Sequence, residues 1–266
     1  MGPDWQDSFT SFSRTPFASA SIGQVHKATL SPSLSPTGKP MEVAVKIQFP
    51  NIMNSIESDL SYVRWLLTAG RVLPPGMFLE KSAAALGEEL RLECDYKREA
   101  ESLQKFYTGL TGKEADRQKF QVPWVWTGST REVLVMEFLP GRAIGRISTE
   151  TMSQKERDDI ASRVLELCLR ELFELRMMQT DPNWSNFLWN EKERRLGLVD
   201  FGATREYSAE FMDGWLKLLQ SAADNDYDGC VEGSLRLGYL TGKEEKVRTI
   251  GNMFVQHCHL TSHRKW

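Results

Sequence analysis

Residues 181–202 read DPNWSNFLWNEKERRLGLVDFG, and this stretch decides the fold. It opens on a carboxylate, Asp181, and places an amide, Asn186, five positions later. Two short apolar segments follow, and the stretch closes on Asp200-Phe201-Gly202. Carboxylate and amide oxygens are the ligands that a hard cation such as Mg²⁺ prefers. The stretch therefore predicts a polar site built at the ends of short strands.

A lysine far upstream belongs to the same pattern. Residues 41–49 alternate and are rich in β-branched side chains, which predicts a strand that carries Lys46. Alone, each feature is weak, because a strand lysine is usually solvated and an aspartate before a proline is typical of a turn. Their order and spacing give them weight, since Asp200 follows Asn186 by fourteen positions.

Protein kinases use these features in this order. A strand lysine contacts the nucleotide phosphates, an Asp-x-x-x-x-Asn loop supplies the base and a metal ligand, and Asp-Phe-Gly holds Mg²⁺. Residues 136–141, MEFLPG, are then predicted to be the hinge between two lobes. There the C=O of Glu137 and the N–H of Leu139 would meet an adenine edge. The pattern predicts a site for ATP or ADP with Mg²⁺.

The chain departs from an ordinary protein kinase in three places. The glycine-rich loop is replaced by Ala18-Ser19-Ala20-Ser21-Ile22-Gly23-Gln24, the His-Arg-Asp triplet is Gln179-Thr180-Asp181, and no Ala-Pro-Glu follows Asp200 at the expected distance. Alanine disfavours the positive φ values that let backbone N–H groups wrap a phosphate. We therefore expect a loose grip on a γ-phosphate and weak kinase activity toward other proteins.

The order of predicted elements indicates a bilobal, protein-kinase-like α+β fold, with a strand-rich N-lobe and a helical C-lobe. Residues 1–13 are predicted to be a peripheral segment, 14–140 the N-lobe, and 141–266 the C-lobe, with an atypical tail from about residue 255. Helical spacing predicts helices over 52–67, 82–107 and 153–178, and further helices from about residue 209. Ser153 and Glu156 have the spacing of a capping box.

Composition excludes several classes of protein. The chain has 266 residues, a net charge of −3 and 41% hydrophobic residues, so nucleic acid is not expected as a partner. No apolar run reaches the roughly 18 residues of a membrane-spanning helix. The N-terminus resembles neither a signal peptide nor a transit peptide. The chain is therefore either cytosolic or a fragment that lacks its targeting segment. Its four scattered cysteines indicate reduced thiols.

Several stretches together resemble the UbiB-type atypical kinases. The version here resembles the mitochondrial coenzyme Q branch of that family, and a fungal origin is left open. The stretches are Phe17 to His26, Glu93-Cys94-Asp95-Tyr96, Arg98-Glu99-Ala100, Gln179 to Phe187, and Asp200 to Arg205. The resemblance extends from about Phe17 to Gly242.

The resemblance implies a role for each acidic residue and for the lysine. Lys46 would pair with Glu93, the helix-C-type glutamate, and reach the nucleotide phosphates. Glu99 would be a family-specific acidic residue near the nucleotide. Without the resemblance, both glutamates fit the solvated face of an exposed helix.

The remaining implied roles concern the metal, the base and the loop. Asn186 and Asp200 would hold Mg²⁺, and Asp181 would take the place of the catalytic base. The alanine-rich loop, Ala18-Ser19-Ala20-Ser21, would cover the nucleotide. Family members also carry an N-terminal Lys-x-Gly-Gln extension, which this chain does not contain, and its last residues depart from the family pattern. We therefore expect a chain truncated at both ends, with an apolar docking surface for that extension exposed.

The function implied by the resemblance is that of an atypical kinase or ATPase that supports coenzyme Q (ubiquinone) biosynthesis. Its location would be the matrix face of the mitochondrial inner membrane. Its partners would be coenzyme Q biosynthesis proteins, with lipid intermediates and peripheral membrane contact as further expectations. Two alternatives remain: a nucleotide-binding pseudokinase scaffold without phosphoryl transfer, and an inert fragment.

Overall fold

A computed structural model of the protein describes residues 2–69, 79–148, 150, 152–181 and 183–240. The predicted atypical tail lies outside the described residues. The chain divides into two compact units. The first comprises Met1–Leu167 and Gln179–Arg205, and the second comprises Cys168–Met178 and Glu206–Trp266. Every candidate site residue belongs to the first unit.

The described residues form strands of two to eight residues and helices of four to eighteen. The strands are β1 (Phe9–Phe12), β2 (Ala18–Ala20), β3 (Gly23–Leu30), β4 (Met41–Gln48), β5 (Phe120–Gln121), β6 (Val133–Glu137), β7 (Arg142–Ala143), β8 (Met177–Gln179), β9 (Phe187–Asn190), β10 (Arg195–Leu198) and β11 (Thr204–Glu206). The α-helices are α1 (Ile52–Ala69), α2 (Leu79–Glu93), α3 (Tyr96–Thr111), α4 (Glu114–Arg117), α5 (Gln154–Arg170), α6 (Ala209–Ala223) and α7 (Tyr227–Arg236).

The first unit contains two sheets. The larger is antiparallel, with the order β1-β3-β4-β6, and β2 pairs with the other end of β3. The smaller has the order β5-β10-β9-β7. The chain passes from one sheet to the other between Glu137 and Arg142, where the sequence predicts the lobe boundary. A Cβ at Gly141 would lie 3.1 Å from Leu188 Cβ and 3.2 Å from Trp189 O, so this crossing point needs a glycine.

The predicted strand over residues 41–49 is confirmed as β4, and its two faces differ. Val43 and Val45 pack in a core with Phe9, Leu30 and Val135. Because side chains alternate along a strand, Lys46 projects to the opposite face. Its side chain is nevertheless only 6% exposed. A buried cation needs a partner, so this face of β4 must meet acidic groups.

Residues 1–13, which the sequence predicts to be peripheral, contribute β1 to the larger sheet. Phe9 of β1 is buried, and Trp5 and Phe12 make edge-on contacts with each other at 5.0 Å between ring centroids. The aromatic residues do not alternate with a period of two, because the strand register shifts between Phe9 and Ser11, which is why the segment looks irregular in the sequence.

The single helix predicted over residues 82–107 is wrong, because two helices meet there. α2 ends at Glu93, and α3 begins at Tyr96 after Asp95, whose carboxylate caps the backbone N–H groups of Lys97 and Arg98. Aspartate favours the N-cap because it satisfies backbone donors that have no partner within the helix. The buried stripe of α3 comprises Tyr96, Glu99, Ser102, Leu103, Phe106 and Leu110.

The helix predicted over residues 153–178 is shorter than predicted, because α5 ends at Arg170 and Met177 and Met178 belong to β8. The capping box is confirmed at the start of α5, where Glu156 Oε2 accepts from Ser153 N–H at 3.0 Å and Ser153 Oγ accepts from Glu156 N–H at 3.3 Å. A π-helical turn at Glu171–Leu175 follows α5. In the second unit, α6 and α7 pack through Leu218, Ala222 and Cys230. No helix among the described residues is long and apolar enough to cross a membrane.

Candidate active site

Lys46 lies at the centre of a buried charge cluster. Its ammonium donates to Glu99 Oε1 at 2.6 Å and to Asp200 Oδ2 at 3.3 Å. The Glu99 side chain is 3% exposed, whereas that of Asp200 is 37% exposed. The pair therefore links β4 and α3 in the interior, and Asp200 extends it toward solvent.

The predicted pairing of Lys46 with Glu93 is wrong. Glu93 is the last residue of α2, and its carboxylate accepts a hydrogen bond from Ser21 Oγ at 3.4 Å. Glu99 instead lies on the buried stripe of α3, one turn after the helix begins. The helix that supplies the partner of the strand lysine is thus α3, because the break at Asp95 separates the two glutamates. A charged residue on an apolar helical stripe is the signal in the sequence that could have identified Glu99 as the partner of Lys46.

The two partners of the pair are affected differently: burial and the Asp200 charge raise the pKa of Glu99, although attraction to the Lys46 ammonium opposes this. Burial alone would lower the pKa of Lys46, but attraction to the Glu99 and Asp200 carboxylates outweighs it and raises the pKa above its usual value. The ring of Tyr96 lies under the ammonium at 5.5 Å and adds a cation–π contact. Burial raises the pKa of Tyr96 to about 12, so its phenol stays neutral.

The predicted catalytic loop is held by its own polar groups. Asn186 Nδ2 donates to Asp181 Oδ2 at 2.8 Å, which joins the two ends of the Asp-x-x-x-x-Asn stretch. Gln179, in the position of the histidine of ordinary kinases, accepts from Asp181 N–H at 2.8 Å through its side-chain oxygen. Sequence reasoning did not assign this role to Gln179. The contact fixes the backbone at Asp181 without engaging its carboxylate, whose Oδ2 accepts from Asn186.

The Asp-Phe-Gly segment is anchored to α3. Phe201 is fully buried and packs on Phe106, with 5.1 Å between the ring centroids. Its N–H donates to Glu99 Oε1 at 3.3 Å, the same oxygen that receives the Lys46 ammonium. Asp200 Oδ1 accepts from Gly202 N–H at 3.0 Å. Asp200 is therefore oriented by both of its oxygens.

The alanine-rich loop is a tight hairpin beside Lys46. Ala18 lies opposite Val25, which in turn lies opposite Lys46. Residues directly opposite one another in an antiparallel sheet project to the same face, so Ala18 shares the face of Lys46. A Cβ at Gly23 would lie 2.2 Å from Ile47 O, and the turn therefore requires a glycine at that position.

The predicted hinge follows β6. Glu137 N–H donates to Trp124 O at 2.7 Å, and Phe138 N–H donates to Glu42 O at 3.0 Å. Leu139 is buried, and we find no hydrogen-bond acceptor for its N–H in the part of the chain that the structure describes. An adenine edge presents such an acceptor. Phe138 also contacts Phe17, at the start of the alanine-rich loop, with 5.6 Å between the ring centroids.

Glu93 lies among like charges. Partial burial raises its pKa, the negative charges of Asp200 and Asp181 raise it further, and the hydrogen bond from Ser21 opposes them. The charges of Asp200 and Asp181 therefore act on Glu93 and disfavour its ionised form.

We expect Glu93→Gln to stabilise the ligand-free protein at pH 7, by less than about 1 kcal/mol because solvent screens half-exposed charges. The pKa of Glu93 is higher in the folded than in the unfolded state, so the ionised carboxylate destabilises the fold. The variant therefore gains its full stability only at a pH above both the folded and the unfolded pKa of Glu93. The gain should shrink as the pH falls through the folded pKa, and should be absent below 4.5, the unfolded value. Thermal midpoints of the parent and the variant between pH 4 and 8 measure it, and a gain independent of pH would contradict the assignment.

Comparisons with known proteins agree with this geometry. Residues 1–234 match the family model described as the ABC1 atypical kinase-like domain. The chain is 43% identical over 92% of its length to "Atypical kinase COQ8, mitochondrial" of Schizosaccharomyces pombe, and 41% identical over 92% to the protein of that name in Saccharomyces cerevisiae. It spans 38% and 47% of the lengths of those relatives.

A solved structure gives the same result for the fold. The structure of Rv3197 from Mycobacterium tuberculosis in complex with erythromycin matches with a TM-score of 0.73 and 30% sequence identity, over 96% of this chain and 62% of that one. The predicted bilobal, protein-kinase-like α+β fold is therefore confirmed. The resemblance to the UbiB-type atypical kinases is confirmed as well. This chain belongs to the family of proteins that carry the ABC1 atypical kinase-like domain.

Proposed function

We propose that this chain is the nucleotide-binding domain of an atypical kinase or ATPase that supports coenzyme Q biosynthesis. The observation that carries the proposal is the buried Lys46–Glu99 pair in contact with Asp200. Burying two charges is expensive, and replacing such a pair by apolar residues is often neutral or stabilising. A pair that reaches a half-exposed carboxylate beside a polar loop is better explained by ligand binding than by stability.

The donor set fits Mg²⁺. Asp200 offers a carboxylate, and Asn186 offers its amide oxygen because its Nδ2 is engaged by Asp181. Among the described residues, no three His, Cys, Asp or Glu side chains form a metal cluster. Mg²⁺ does not require one, since with a nucleotide it takes one or two protein ligands, phosphate oxygens and waters. When bound, the cation would neutralise phosphate charge.

The other residues of the site would orient the nucleotide. Lys46, held by Glu99, would contact the phosphates, and the hairpin Ala18-Ser19-Ala20-Ser21 would cover them. The adenine would meet Glu137 C=O and Leu139 N–H. Asp181, whose backbone is fixed by Gln179, would accept the proton of an acceptor hydroxyl or water. Glu93 would add negative charge beside the metal rather than hold the lysine.

The biological setting follows from the relatives, which are named mitochondrial atypical kinases. We propose a mitochondrial location at the matrix face of the inner membrane. Coenzyme Q biosynthesis proteins are the proposed partners, together with lipid intermediates at the membrane surface. We also propose that residues 14–140 and 141–266 act as the two lobes around the nucleotide.

A pseudokinase scaffold is the second candidate, and the alanine-rich hairpin favours it. None of its residues 18–22 has a positive φ, so the loop lacks the backbone conformations that grip a γ-phosphate. Steady-state phosphate release from Mg-ATP separates the two functions. Release that disappears in Asp200→Asn supports the enzyme, and tight binding without release supports the scaffold.

A thermal shift measurement tests nucleotide binding itself. Ligand at about 100 times its Kd stabilises the fold by about 2.7 kcal/mol. For a domain of this size we expect the melting midpoint to rise by about 5–10 °C with Mg-ADP or Mg-ATP. Mg²⁺ alone and nucleotide with EDTA are the controls. An unchanged midpoint at millimolar Mg-nucleotide would refute the proposal.

A further inference from the structure

Three consecutive carbonyl groups, those of Gly202, Ala203 and Thr204, each accept a hydrogen bond from a side chain. They lie at the end of Asp-Phe-Gly and just after it. Arg98 Nη2 donates to Gly202 O, and Arg98 Nη1 donates to Thr204 O at 3.0 Å. Between them, Ala203 O accepts from Thr180 Oγ1 at 2.7 Å and from Thr180 N–H at 3.3 Å. Arg98 and Thr180 therefore hold the backbone of residues 202–204 by hydrogen bonds, and these contacts are called the clasp below.

A turn presents these carbonyls: Thr204 N–H donates to Phe201 O at 3.2 Å, and β11 begins only at Thr204. Gly202 O and Thr204 O both accept from Arg98, whereas Ala203 O accepts from Thr180. The planar guanidinium of arginine carries donors in a fixed fork that can span two such acceptors. The ammonium of a lysine is a single point and cannot span them.

Arg98 itself is firmly anchored. Asp95 accepts from the backbone N–H of Arg98 at 3.4 Å as part of the cap of α3. Arg98 Nε donates to Leu92 O, near the end of α2, at 3.4 Å. The next residue, Glu99, holds both Lys46 and Phe201 N–H. The first turn of α3 thus carries all these contacts on one rigid element.

The clasp reaches the candidate metal ligand through one residue, Gly202. Gly202 donates its N–H to Asp200 Oδ1 at 3.0 Å while its C=O accepts from Arg98. Rotation of the backbone at Gly202 would break both contacts. Arg98 therefore restrains the carboxylate of Asp200 without touching it.

We propose that Arg98 is a positioning residue that holds Asp200 in its metal-binding orientation without any modification of the chain. Ordinary kinases order this segment by pairing an activation-loop phosphate with an arginine, and here the corresponding triplet has Thr180 in place of that arginine. Thr180 bonds the backbone directly, and Arg98 supplies the guanidinium from α3. The consequence for Mg²⁺ rests on the nucleotide-binding function proposed above.

Amide hydrogen exchange of the full ligand-free chain tests the clasp. In Arg98→Ala and Arg98→Lys, exchange in a peptide covering residues 200–206 should be about tenfold faster or more, because the local opening becomes easier. Lys97→Ala is the matched control: it removes one positive charge from the same turn at an exposed position. Its exchange should match the parent. Arg98→Lys serves as the deciding variant if Arg98→Ala unfolds.

Mg²⁺ affinity in the presence of ADP tests the effect on Asp200. The apparent Kd for Mg²⁺ should rise by about tenfold or more in both variants, since losing a group that orients a metal ligand typically has this effect. ADP binding in EDTA should stay within about twofold of the parent. Added guanidinium chloride at low millimolar concentration should partly restore the Mg²⁺ affinity of Arg98→Ala. It should leave the Mg²⁺ affinity of Lys97→Ala unchanged.

Amide exchange and Mg²⁺ affinity test different parts of the proposal. Parent-like exchange in both Arg98 variants would overturn the clasp. Faster exchange with an unchanged Kd for Mg²⁺ would overturn the positioning role. A parent chain that binds no Mg-ADP would refute the proposed function, and faster exchange in Arg98→Lys would then still support the restraint on Asp200.

Discussion

Asp200→Asn is expected to weaken Mg²⁺-dependent nucleotide binding by about a hundredfold or more while leaving the domain folded. A carboxylate balances the charge of the metal, whereas an amide conserves shape and not charge. The asparagine can still accept from Gly202 N–H, and Lys46 keeps its shorter contact to Glu99. Calorimetric titration of Mg-ADP measures the loss, with circular dichroism as the check on folding.

The same chemical change in the second unit provides the control. Asp213 is exposed on α6 and is not a candidate site residue, so Asp213→Asn removes one negative charge and leaves every candidate site residue in place. It should bind Mg-ADP as the parent does. If Asp200→Asn retains the full Mg²⁺-dependent stabilisation by nucleotide, Asp200 is not a metal ligand.

The sequence predicts most elements because their patterns are local. The β-branched alternation of residues 41–49 defines β4, and the capping box defines the start of α5. The order of Lys46, Asp181 and Asp200 along the chain indicates the fold, and so does the spacing of Asp181 and Asp200 from Asn186. These features depend on neighbours in sequence, which a pattern can register.

The helix break at Cys94–Asp95 and the partner of Lys46 depend instead on packing. Residues 82–107 are rich in strong helix formers on both sides of Cys94-Asp95-Tyr96, so propensity summed over the segment predicts one continuous helix. The competing factor is the cap at Asp95, which satisfies the first donors of α3. Once α3 begins anew, Glu99 rather than Glu93 faces the interior. Propensity cannot rank two glutamates six positions apart, whereas burial separates them.

The contacts of Arg98 with residues 202–204 could not be predicted either. They join positions more than a hundred residues apart, and backbone carbonyls leave no trace in the sequence. Gln179 and Thr180 were visible only as departures from His-Arg-Asp. Their hydrogen bonds to Asp181 N–H and Ala203 O give those departures a physical role.

Glu99→Gln is expected to destabilise the domain by about 3–5 kcal/mol, the usual cost of removing one member of a buried ion pair. Glutamine keeps the shape, so no cavity forms and the loss reports charge. Lys46 would retain only one negatively charged partner, the half-exposed Asp200. Glu93→Gln, six positions earlier, should change stability by no more than about 1 kcal/mol. Urea unfolding at constant m-value measures both.

A double-mutant cycle then tests whether the loss belongs to the pair. Lys46→Met removes the ammonium that Glu99→Gln leaves unbalanced, so the double variant should be more stable than Glu99→Gln alone. The coupling between positions 46 and 99 should exceed about 1 kcal/mol, and that between 46 and 93 should be near zero. Equal coupling of Lys46 to both glutamates would mean that α2 and α3 exchange the role in solution, and the assignment of Glu99 as the partner of Lys46 would be wrong.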